Sequence, residues 1–268
     1  MQQARLLTGL RRSRHVLAVV AGIWMFPASS TAATASVQDV QEMADICMYS
    51  QRLLKDYALI GMGIDYHDPA GDLAKSSRML NRYLANIESH GLKQELDAEV
   101  REIETSWRLI EPRLLAPPTK DQMVELQALV DTFSQRCEEV ADHLAQDTGI
   151  AAEHDVVLIA TLGVEVQRLA ALYMMKAWGA AGDGYDEKVD DVLAKAERIF
   201  AELMAADDRH VPREVKARLG EAEKHFLVFH VMAKSKSGRF VPTLAEKSAS
   251  EVFHELRDIL KLEKELVE

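Results

Sequence analysis

Two stretches of this chain carry the same residues in the same order 116 positions apart. Gln51-Arg52-Leu53 returns as Gln167-Arg168-Leu169, Tyr57 as Tyr173 and Gly63 as Gly179. At slightly larger offsets Leu73-Ala74-Lys75 is echoed by Leu193-Ala194-Lys195, Arg78 by Arg198, and Trp107 stands opposite Phe226. Order kept at nearly constant spacing reads as a tandem duplication, with insertions such as Gly182-Asp183-Gly184 absorbed in loops. The two copies run over 36–148 and 149–268.

Each copy has the length of four helices. Apolar residues in the first recur at three- and four-residue steps from Val40 through Met43, Ile46, Cys47, Leu53, Leu54 and Tyr57, the signature of a helix buried along one face. The turn cluster Tyr66 to Gly71, His90-Gly91 and Pro117-Pro118-Thr119 divide the first copy into helices over about 37–63, 72–89, 92–115 and 119–145. Short connections favour antiparallel neighbours. The expectation is an all-α protein of tandem antiparallel four-helix bundles, with one longer bundle as the alternative.

The first 35 residues differ from the rest. Arg5, Arg11, Arg12 and Arg14 precede the apolar run Val16 to Phe26, Pro27 ends it, and a small polar stretch closes on Ala33-Thr34-Ala35. Basic, apolar and small-residue parts in that order predict a secretory signal peptide over 1–35, with Ser36 as the new N-terminus. The apolar run is short for a bilayer span, no segment after Ser36 is expected to have the length of a transmembrane helix, and none is expected to insert in a membrane. The protein is therefore expected to be periplasmic or secreted. Its net charge is −11. Removing the four arginines leaves the mature region near −15, which repels nucleic acid and anionic lipid.

Catalytic and metal signatures are thin. His225 and His230 are five apart and lack the glutamate of a zinc-protease helix. Glu251 and His254 have the spacing of a di-iron helix only once. No haem-attachment pair, phosphate loop or nucleophile elbow occurs, so no enzyme, metal site or cofactor is expected. Cys47 and Cys137 are the only cysteines. Export supplies an oxidising compartment, and the helix count sets the two at similar heights on adjacent helices, so a disulfide between them is expected, with two buried thiols as the alternative.

The run from Met48 to Gly61, with Ser50-Gln51-Arg52-Leu53-Leu54-Lys55 at its heart, resembles the first helix of the N-terminal sensor domain of type IV pili methyl-accepting chemotaxis transducers, the PilJ and NarX-like domain. A weaker echo covers Gln167 to Gly179. The resemblance implies a periplasmic sensory bundle. In nitrate-sensing members an arginine of this helix holds the anion at a dimer interface. Cys47 and Gly163 stand at that position here, so nitrate sensing is not carried over. Members of this family pass signals through membrane spans; none is expected in this mature chain.

These readings converge on a sensor-like binding or accessory protein acting on an unknown small ligand or a periplasmic partner protein. The expected surface involves Cys47, Met48, Gln51, Arg52, Gln167 and Arg168, and a homodimer is left open. The alternative is a purely structural module for a pilus or a membrane receptor.

Overall fold

The computed structural model describes residues 33–235 and 239–267, and the expected signal peptide lies almost wholly outside them. Eight helices follow one another: α1 Val37–Gly61, α2 Pro69–Ser89, α3 Gln94–Leu114, α4 Lys120–Thr148, α5 Ala152–Trp178, α6 Tyr185–Ala205, α7 Arg213–Ala233 and α8 Pro242–Val267. Local chemistry sets their ends. Ser36 accepts from the Asp39 amide while Asp39 bonds back to Ser36, a closed capping box. Asp68 caps α2 ahead of Pro69, so that helix begins three residues earlier than expected. Gly149 and Gly179 close α4 and α5 in the left-handed conformation.

Helices α1 to α4 close into one four-membered ring and α5 to α8 into another. The repeated tyrosine does the same work in each. The Tyr57 hydroxyl accepts the Thr119 amide at the head of α4, and the Tyr173 hydroxyl accepts the Val241 amide at the head of α8. Trp107 packs against Phe133 with ring centres 5.9 Å apart, and Phe226 packs against Phe200 at 5.8 Å.

The two rings are joined lengthwise into one compact unit, because the most extensive helix pairing in the molecule is α1 against α5. These helices run in the same direction. Gly163 lies against Met48 so closely that a Cβ there would fall 2.3 Å from the methionine sulfur, and Gly61 has the same relation to the Trp178 ring. Along this line α1 and α5 meet in nearly the register of the repeat, at offsets of 115 and 117 residues. Helix α4 also lies along α5, and α8 touches α1, so both central helices are covered on nearly every side.

That environment explains α5. It is long and apolar enough, by length and composition, to cross a membrane, contrary to expectation; 89% of its most apolar stretch is buried within the bundle. A helix enclosed by neighbours on all faces has no need of a polar side.

Candidate functional site

Two seams form where the fourth helix of one repeat meets the first helix of the other. At the first, α4 approaches α5 and α6 and leaves a groove of about 450 Å³. Gln51, Ser134, Glu138, Glu165, Arg168 and Lys195 contribute to its wall. Arg168 Nε lies 3.1 Å from Asp131 Oδ1, and Gln51 Nε2 donates to the same oxygen at 3.0 Å. Lys195 Nζ sits 2.7 Å from both Glu138 and Glu165. Burial raises the Glu138 carboxyl above its ordinary value, partly offset by Lys195. Burial alone would lower the Lys195 ammonium, but Glu165 and Glu138 hold it above its ordinary value.

Several polar atoms of this groove have no hydrogen-bond partner: Gln51 Oε1, Glu165 Oε2 and Arg168 Nε, the last badly aligned with Asp131 despite its distance. Gln51 is fully buried and Glu165 is 1% exposed. Buried acceptors without donors are costly, at about 1–3 kcal/mol each, so such atoms mark where another molecule or water would bond.

The second seam is filled. Phe253 of α8 occupies it, with the Arg52 guanidinium 5.0 Å over its ring and Tyr49 edge-on at 5.6 Å. Arg52 also pairs with Asp72. Beneath it, the fully buried Lys55 of the first repeat bonds Glu246 of the second and lies 3.2 Å from Asp56. Burial pushes the Asp56 carboxyl up to about 6 even beside that ammonium.

The six expected site residues are therefore separated. Gln51 and Arg168 meet in the open groove. Arg52 belongs to the filled seam. Gln167 donates to the Ala249 carbonyl within the second repeat. Cys47 and Met48 are buried between helices.

The expected Cys47–Cys137 disulfide is not formed; both are buried free thiols. Helices α1 and α4 do bring the side chains together, and Cys47 donates to the Met43 carbonyl at 3.1 Å. Burial first, then the Cys137 thiol, push the Cys47 thiol well above its ordinary range, which suppresses the thiolate that oxidation requires.

Asp131, Glu138, Glu165 and Lys195 escaped the sequence reading. One signal was present: Glu165 is a lone acid inside the apolar run from Val156 to Met175. Among the described residues no cluster of His, Cys, Asp and Glu could hold a metal ion. No family model, no curated protein and no solved structure matches the chain.

Proposed function

We propose that this protein is an exported, sensor-like binding protein, related to the PilJ and NarX-like domains, whose ligand seat is the groove between α4 and α5. The observation that carries this reading is a groove of about 450 Å³ whose lining residues Gln51 and Glu165 each hold a buried oxygen without a hydrogen bond. Recognition sites combine a preformed concavity with a few convergent polar groups, and this groove has both. A ligand that binds only the folded state, at 100 times its dissociation constant, adds about 2.7 kcal/mol to stability. Thermal melting against a panel of small molecules should therefore show a shift that Gln51→Leu removes. A panel without any shift counts against the seat. Export is tested separately: N-terminal sequencing of the mature protein should begin at Ser36.

One observation favours the second reading, a structural interaction module. Helix α7 turns Leu227, Val228 and Val231 outward, at 49%, 56% and 71% exposure. Apolar residues grouped on one exposed face suit a partner surface. Under this reading Val228→Glu abolishes partner capture and Gln51→Leu does not.

A further inference from the structure

We infer that the α4–α5 groove takes a linear organic cation, a small aliphatic di- or polyamine. This rests on the groove being a ligand seat, and three observations give the class.

The first is charge. Asp131, Glu138, Glu139, Asp142 and Glu165 line the groove, against Arg168 and Lys195. Arg136 reaches Glu139 from the rim at 2.9 Å, and the nearest base to Asp142 is the His154 imidazole at 3.7 Å. Five carboxylates thus face three permanent cations, and Glu138 and Glu165 share the single ammonium of Lys195. An anion entering here would meet two carboxylates at close quarters.

The second is hydrogen-bond polarity. The buried atoms Gln51 Oε1 and Glu165 Oε2 only accept and have no hydrogen bond, the latter lying 3.9 Å from Arg168 Nη1. The one unpartnered nitrogen, Arg168 Nε, is already 3.1 Å from Asp131. The groove asks its occupant for donors, and charge-assisted N–H to carboxylate bonds are the stronger kind.

The third is spacing. Asp131, Glu138 and Asp142 fall on one face of α4 at seven- and four-residue steps. With a rise of 1.5 Å per residue, their attachment points are about 10 Å and about 6 Å apart. A row of carboxylates at such intervals matches a flexible chain carrying a positive charge every few carbons. A bare divalent ion needs ligands converging on one point, and no such cluster occurs among the described residues.

The test is titration calorimetry on the full-length protein with putrescine and spermidine, beside butylamine, glutamate and nitrate. Spermidine should bind one to one and more tightly than butylamine. Glu165→Gln should raise its Kd at least tenfold. Asp142→Asn, at an exposed position that leaves packing untouched, should raise it several-fold. Glu95→Gln, an exposed acid on α3, is the control for diffuse attraction to an acidic protein. Equal weakening by Glu95→Gln, or indifference to both Glu165→Gln and Asp142→Asn, overturns the inference. Binding of glutamate or nitrate that Gln51→Leu abolishes, with amines inert, overturns the cation class and keeps the seat. A full panel with no binding at all removes both.

Discussion

Where α4 meets α5, Arg168 finds Asp131; where α8 meets α1, the equivalent Arg52 finds Phe253. The positions correspond, because Thr119 and Val241 start the two fourth helices on the same tyrosine contact, and Asp131 and Phe253 each lie twelve residues beyond. Around Asp131 the seam stays open, polar and incompletely bonded. Around Phe253 it closes, and the charges near it become internal: Lys55 with Glu246 and Asp56, Arg52 with Asp72. One aromatic ring in place of one carboxylate separates a structural joint from a potential seat. The difference lies in what must be desolvated. The ring gains by leaving water, whereas the carboxylate gains by keeping access to it.

The largest expected effect is on the closed seam. Lys55→Met leaves Glu246 and Asp56 buried without their shared cation and should cost about 3–5 kcal/mol in urea unfolding. Lys195→Met, in the open seam, removes a cation 35% exposed at the side chain but leaves the 1% exposed Glu165 without it, and should cost less, about 1–3 kcal/mol. Similar losses at the two positions would erase the distinction.

Removing the ring comes next. Phe253→Ala should cost about 3 kcal/mol or more, while Asp131→Phe should fill the groove and end ligand binding with stability kept within about 1–3 kcal/mol. Melting and calorimetry on the same samples separate the two outcomes.

The line of contact between α1 and α5 offers a subtler comparison. Gly61→Ala drives a methyl group into the Trp178 ring, and Gly163→Ala drives one into the Met48 thioether. The rigid ring cannot yield, so Gly61→Ala should cost about 1–3 kcal/mol. Met48 can rotate away, and Gly163→Ala should cost less. Reversed order in chemical denaturation would show that the backbone, rather than the side chain, absorbs the strain.

A further effect is pH-dependent and lies outside both seams. Glu153, at the head of α5, has both carboxyl oxygens buried without partners, and burial raises it from 4.5 to about 7. The folded state therefore holds a proton that the unfolded chain releases, and stability falls as pH rises from about 4.5 to about 7, then levels off. Glu153→Gln should gain stability relative to the parent across that window and no further above it, read as the difference in urea midpoints.

Much of the architecture was legible because the two halves carry the same signals. Tyr57 with Tyr173 and Gly63 with Gly179 mark the same ring contacts and helix ends in each half, and helical periodicity carries the rest. What could not be read was which faces the two halves present to each other. Periodicity shows that a helix has a buried side but says nothing of how many sides are buried, so α1 and α5 gave no warning that they share one core. The pairing of Lys55 with Glu246 could not be read, since residues 191 positions apart leave no local trace of contact. Gln51 and Arg168 were found through the repeated motif, yet Arg52 and Gln167 carry the same motif and serve packing. The cysteines were placed on the correct neighbouring helices, but a bond depends on distances that helix counting cannot resolve.

The parallel alignment of α1 with α5 also fixes how occupancy must behave. Two separate chains meeting through such a face would present two identical seams and would lose both on dilution. With both halves on one strand, the face persists at any protein concentration, and each seam is free to differ from its twin. On the proposed reading, the one open seam among the described residues seats one ligand per chain, and cooperativity would need coupling to a second chain.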